Sequence, residues 1–151
     1  LFEDRLTMQY QVQEMLRAER IFEAQGIQDE LDAYNPLIPD GHNWKATLLI
    51  EYADETERRA ALAKLIGVEQ RVWLQVRGQG RIVPIADEDL ERETEEKTSS
   101  VHFLRFELTP EMVEALKAGA ELDAGVDHPN YSHEMKPVPA ALRKALLVDL
   151  D

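Results

Sequence analysis

Residues 101–134 read VHFLRFELTPEMVEALKAGAELDAGVDHPNYSHE. His102, Leu104, Phe106 and Leu108 alternate with Val101, Phe103, Arg105 and Glu107, the period of a strand with one buried face. Thr109 then stands where a helix N-cap belongs, with Pro110 at the first helical position. Lys117, Ala118 and Gly119 close that helix with a cation in the last turn and a glycine stop. A second strand follows over 122–126. It ends on a polar loop that holds two of the four histidines. A strand–helix–strand unit is thus spelled out within this one segment.

The same order recurs upstream. Trp44, Ala46, Leu48 and Ile50 alternate with Lys45, Thr47, Leu49 and Glu51, which predicts a strand over 44–52. Its continuous Leu48–Leu49–Ile50 run predicts a central strand covered on both faces. Asp54 and Glu57 have capping-box spacing. The helix they open, 55–66, would turn Ala60, Leu62, Leu65 and Ile66 inward and stop at Gly67. A strand over 72–76 then turns through Arg77-Gly78-Gln79-Gly80 into 82–85 as a hairpin. Pro84 puts the second arm of that hairpin at a sheet edge. Gly78 and Gly80 join two strands with no helix after them, so they lack phosphate-cradling geometry. The units 44–76 and 101–126 share an order of elements and no residue-level repeat.

The remaining segments frame these units. A helix over 4–24 carries Met8, Val12, Met15 and Phe22 at helical spacing, widened by Leu16 and Ile21. Gly26 stops or kinks it, 27–34 continues it, and Asn35–Pro36 ends it. That stripe is core or a dimer seam, and a homodimer through this helix or an exposed sheet edge is the expectation. Glu14 is followed three residues later by Arg17, where a di-iron helix would need histidine. Residues 87–100 are crowded with Asp and Glu and could hold a divalent cation, but they lack the spaced ligands and glycine of a calcium loop. They read as a solvated loop or short surface helix. Residues 127–139 read as a loop pinned by three prolines. Residues 140–150 read as a helix with Leu142, Ala145, Leu146 and Leu150 on one side. The expected fold is α+β in a single domain. It has a mixed, largely antiparallel sheet of about five strands, helices mainly on one face, and an added N-terminal helix.

Composition narrows the function. Of 151 residues, 44% are hydrophobic, enough for one core. The net charge is −13, from 30 acidic and 17 basic residues. That argues against nucleic acid and against an anionic membrane surface, both of which attract basic patches. It fits a self-repelling cytoplasmic protein, or one that docks onto a basic partner. There is no cysteine. Disulfides, thiolate nucleophiles and cysteine-ligated clusters are therefore excluded within the chain, and iron–sulfur chemistry would belong to a partner. No apolar run reaches the length of a membrane span, and no signal peptide is visible. Leu1–Phe2 reads as the end of an apolar strand, which suggests a longer protein with a further N-terminal segment.

Chemistry-bearing residues concentrate in DHPNYSHE, residues 127–134. His128 and His133 stand with Asp127 and Glu134, and imidazole with carboxylate suits zinc, iron or manganese. Pro129 stiffens the segment. His102 would complete the shell if its strand lay beside this loop. The plainer alternative has Asp127 in an Asx-turn and the histidines at the surface or paired with carboxylates. His42 follows a Pro-Asp-Gly turn and carries little alone. Tyr131 and Trp44 read as packing. G-x-S-x-G, a Ser–Lys pair, a P-loop and H-E-x-x-H are all missing, which favours a non-enzymatic role.

Four stretches carry a resemblance. They are MQYQVQEMLRAERIFE (8–23), LDAYNPLIPDGHNWKATLLIEY (31–52), KTSSVHFLRFEL (97–108) and GVDHPNY (125–131). Together they resemble the uncharacterised bacterial family DUF3501 over nearly the whole chain. Members of that family have a further N-terminal segment. Their genes often stand beside those for a rubrerythrin-like di-iron protein and an iron–sulfur protein of the heterodisulfide-reductase type. The resemblance implies an accessory role in a redox or peroxide-stress system, and no catalytic residue comes with it.

Overall fold

The computed structural model describes every residue from Leu1 to Asp151. The elements follow the order β1 (Phe2–Glu3), α1 (Arg5–Ala18), α2 (Ala24–Tyr34), β2 (Asn43–Leu49), α3 (Glu55–Lys64), β3 (Val72–Val76), β4 (Arg81–Ile82), β5 (Ile85–Ala86), β6 (Val101–Glu107), α4 (Pro110–Lys117), β7 (Leu122–His128), β8 (Tyr131–Met135) and α5 (Ala140–Val148). Short 3-10 turns lie at Asn35–Leu37 and Val68–Gln70. The class is α+β. The strands do not form one mixed sheet of about five. They form two four-stranded sheets, β1-β2-β6-β5 and β4-β3-β7-β8, antiparallel throughout.

The reason lies in the two strand–helix–strand units. A strand–helix–strand connection within one sheet gives parallel neighbours. Here α3 leads from β2 in the first sheet to β3 in the second, and α4 leads likewise from β6 to β7. Each unit therefore gives one central strand to each sheet, and equivalent strands of the two units pair antiparallel. The edges match as well, with β1 beside β2 and β5 beside β6 in one sheet, and β4 beside β3 and β8 beside β7 in the other. The topology is that of a repeated unit, although the residues show none.

One core serves both sheets. Trp44 and Ala46 of β2 and Leu104 and Phe106 of β6 meet Leu74 and Val76 of β3 and Leu122 of β7. Leu116 of α4 and Leu146 of α5 belong to the same cluster. The alternation in β6 is as expected, with His102, Leu104 and Phe106 buried. The buried Trp44 indole donates from Nε1 to the Leu146 carbonyl at 2.9 Å, tying α5 to β2. Thr109 caps α4 by accepting from the Met112 N–H, with Pro110 at the first turn and Gly119 at φ +107° beyond its end.

Three local expectations change. The N-terminal helix breaks at Ala18, well before Gly26, which lies inside α2. Arg20 takes the left-handed conformation at φ +54°, and the Ile21 N–H reaches back to the Leu16 carbonyl at 2.9 Å. That is a Schellman stop built without glycine. Gly26 matters for packing instead, since a Cβ there would lie 2.5 Å from Ile21 Cγ2. The arm read as 82–85 is split at Pro84: β4 pairs with β3, and β5 pairs with β6 in the other sheet. Both short strands are sheet edges, as a proline requires. Finally, most of the loop read over 127–139 is ordered as a hairpin. β7 runs on to His128, Pro129–Asn130 turn, and β8 returns with Asp127 opposite Ser132 and Val126 opposite His133.

Candidate functional site

The chemistry-bearing cluster forms around His102, at the start of β6. Alternation turns this ring inward, where it is fully buried. Its Nδ1 meets Asp87 Oδ2 at 2.6 Å. Asp87 follows β5 and extends the ladder with its side chain: Oδ1 accepts the Phe103 N–H at 2.9 Å, while its own N–H donates to the Phe103 carbonyl at 2.8 Å. Its backbone is left-handed, φ +50°. Aspartate tolerates this region better than most residues, but the conformation is held by its surroundings. The carboxylate is therefore held by backbone contacts of its own as well as by the histidine.

The other ring nitrogen faces oxygens. Nε2 lies 2.8 Å from Thr98 Oγ1, 3.0 Å from the Ser99 carbonyl and 3.9 Å from Glu69 Oε2. Glu69 sits on the 3-10 turn after α3 and is buried. Its Oε2 has no hydrogen-bond partner. Burial, with the Glu93 carboxyl beside it, pushes Glu69 above the usual carboxylate range. Glu93 Oε2 accepts the Gly67 N–H at 3.0 Å, and the Thr98 N–H donates to the Leu62 carbonyl at 3.1 Å. Arg92 approaches Asp87 Oδ1 at 3.2 Å and lies over the Phe103 ring, 4.7 Å from its centroid. The segment 87–100 is the loop expected, exposed at 88–91 and 94–97, but Asp87, Arg92, Glu93, Thr98 and Ser99 turn inward. It folds over His102 and is tied to the end of α3 on the far side.

Glu69, Asp87 and His102 bring one potential ligand atom each within 4.8 Å of one another, the only such grouping in the molecule. Of the five residues expected to share a metal, only His102 is in it. His128 is engaged on both ring nitrogens: Nε2 donates to the Ile66 carbonyl at 2.8 Å, and Nδ1 accepts the Asn130 N–H at 3.0 Å. Those partners fix a neutral tautomer with no free lone pair. Asn130 adds a bond from Nδ2 to the Lys64 carbonyl at 2.8 Å. His133 is exposed and lies against Tyr131, with ring centroids 4.8 Å apart and the planes tilted by 54°. Asp127 pairs with Arg81 at 3.7 Å and Glu134 with Lys136 at 3.3 Å. The structure does not bring the 127–134 set and His102 together.

Two apolar clefts complete the surface. One, of about 400 Å³, opens between the sheets beside Leu1, Trp73, Phe106 and Met135. The other, of about 770 Å³, runs along α1 beside Leu6, Tyr10, Tyr34 and Phe103. No helix is long and apolar enough to cross a membrane.

Residues 1–150 match the family described as "Protein of unknown function (DUF3501)". The chain belongs to the DUF3501 family. A crystal structure of a protein of unknown function from Burkholderia pseudomallei is similar to it, with 56% identity and a TM-score of 0.92. The match covers 100% of this chain and 78% of that one. No functionally curated protein matches. In this DUF3501 chain the stretch GVDHPNY is a clamp: His128 and Asn130 hold the β7–β8 turn to the carbonyls that end α3. The stretch KTSSVHFLRFEL holds Thr98, Ser99 and His102 of the buried cluster. Glu69 escaped the sequence reading, and Asp87 entered it only as one of the acidic residues of 87–100, since the two lie 33 and 15 residues before His102 with no fixed spacing to tie them to it. The one available signal was the sheet-edge proline at 84, which brings the chain beside β6 just before Asp87.

Proposed function

We propose that this DUF3501 protein is a non-enzymatic accessory partner in a rubrerythrin- and iron–sulfur-linked redox or peroxide-stress system. The observation that carries this reading is the closure of its one histidine–carboxylate cluster. His102 and Glu69 are buried, so a substrate has no way to the only grouping with catalytic chemistry. The exposed features suit recognition instead. Leu6 and Tyr10 stand out along α1 beside the larger cleft, on a chain with net charge −13. A basic partner surface would meet complementary charge. Without cysteine, the chain leaves cluster chemistry to its partners.

The test is co-purification from cells expressing the protein at its natural level, with mass spectrometry of the recovered proteins. Recovery of a rubrerythrin-like or iron–sulfur protein, lost when Leu6 and Tyr10 are both replaced by Asp, is the expected result. Recovery of neither would overturn the reading. A metal-binding protein or metalloenzyme using Asp127, His128, His133 and Glu134 is the rival. It has less support, because His128 would have to give up the Asn130 N–H bond at Nδ1, its one lone pair, and Asp127 and Glu134 an ion pair each.

A further inference from the structure

The oxygens around His102 Nε2 pose a charge problem. The Ser99 carbonyl and an ionised Glu69 are acceptors only, and Thr98 Oγ1 has a single proton to give. Asp87 takes the Nδ1 proton, so Nε2 can face the Ser99 carbonyl at 3.0 Å without repulsion only when a second proton or a cation stands on it. Three carboxyls, on Glu69, Asp87 and Glu93, converge here against one guanidinium, that of Arg92. Glu69 Oε2 is buried, aimed at Nε2 and without a partner. Such a group costs about 1–3 kcal/mol unless something satisfies it.

We propose that this pocket is a structural site for an octahedral divalent cation of the Mn²⁺ or Fe²⁺ type, ligated by His102 Nε2, Glu69 Oε2, the Ser99 carbonyl and Thr98 Oγ1. The separations support it. Ligands at about 2.1 Å stand roughly 3 Å apart when they subtend a right angle at the ion, and up to about 4.2 Å when opposed. The Ser99 and Thr98 oxygens, 3.0 and 2.8 Å from Nε2, have the right-angle spacing, and Glu69 Oε2 at 3.9 Å falls in the wider range. One imidazole among oxygens, with no thiolate, favours these ions over a tetrahedral sulfur-seeking one. Asp87 has the part of an orienting residue. It holds the Nδ1 proton, fixes the tautomer and leaves Nε2 free for the metal, as second-shell carboxylates do. The cation would pin the segment 87–100 to β6 and to the turn after α3. This inference does not depend on the partner reading.

The test uses untagged protein, stripped with chelator and titrated with Mn²⁺ while the free-ion EPR signal is followed. One equivalent should bind per chain. Glu69→Gln, which keeps the shape and removes the charge, should weaken binding at least tenfold. Asp87→Asn should weaken it about 10–100-fold through the ring, and His133→Ala should leave it unchanged. The unaltered protein supplies a second readout that survives misfolding of any variant. Bound Mn²⁺ should broaden the NMR signals of Thr98, Ser99 and His102 before those of His133 and Glu134. Lack of saturable binding, equal binding by a folded Glu69→Gln variant, or broadening confined to the exposed acidic surface would each overturn the proposal.

Discussion

At the scale of single residues, the histidines divide by what their nitrogens meet. His128 spends both on backbone groups, so its role is to hold the β7–β8 turn against the end of α3. His128→Ala should cost about 1–3 kcal/mol, the penalty for stranding a buried carbonyl and a turn N–H. His133→Ala, at an exposed position, should stay within about 0.5 kcal/mol. Urea unfolding midpoints would compare them; equal losses would refute the clamp. Asp149 gives a pH prediction. It caps the C-terminus of α5, where the helix dipole already disfavours a negative charge. Burial, with the Asp4 carboxylate nearby, pushes its carboxyl up. The folded protein therefore holds the Asp149 proton more tightly than the unfolded chain does, and stability falls as pH rises from the unfolded value near ~3.9 through the raised folded one. Asp149→Asn should raise the melting temperature at pH 7, and the gain should vanish below about pH 4. An equal gain at both pH values would refute the electrostatic cause. The site itself was half legible. His102 stood out as an inward histidine on an apolar face. Its partners did not, because Asp87 and Thr98 lie in a segment whose composition is that of a solvated loop. Only burial by the two sheets makes those carboxyls a cluster.

At the scale of elements, the chain could be read wherever local chemistry sets the structure. The alternation of β6, the Thr109–Pro110 start of α4 and the Gly119 stop are short-range devices, and all three are present in the structure. The break in the N-terminal helix was hidden because its αL position is filled by Arg20, not by glycine. A non-glycine residue there costs about 1–2 kcal/mol, and Arg20 is exposed with no packing to lose. Arg20→Gly should therefore stabilise the protein by about 0.5–1 kcal/mol after the greater freedom of glycine in the unfolded chain is allowed for. Differential scanning calorimetry would check it, and a fall in melting temperature would mean that the Schellman stop is not what ends α1. The hairpin at 127–134 was hidden for another reason. β8 is exposed along its length, so it has no apolar alternation to mark it. It is held by pairing with β7 alone.

At the scale of the whole molecule, the class was legible and the sheet count was not. The destination of a strand–helix–strand crossover depends on which sheet the second strand joins, and no local signal encodes that choice. What the sequence did show was charge, and charge decides how the surface assembles. Two proposed associations would compete for the exposed apolar residues of α1, Leu6 and Tyr10: a second copy of this chain and a basic partner. The helical stripe behind the homodimer expectation turns Met8 and Val12 into the fold instead. The two associations respond to salt with opposite sign. Two copies at −13 each repel, and raising ionic strength from about 0.1 M to 1 M shrinks the screening length from roughly 10 Å to 3 Å. Self-association through Leu6 and Tyr10 should therefore strengthen with added salt, while the apolar contact itself is little weakened. Docking onto a basic surface should weaken over the same range, because its attraction is what the salt screens. Sedimentation equilibrium at both salt concentrations would read the first. Leu6→Asp with Tyr10→Asp should abolish the salt-promoted dimer. A monomer at high micromolar concentration in 1 M salt would remove the homodimer and leave α1 to the partner.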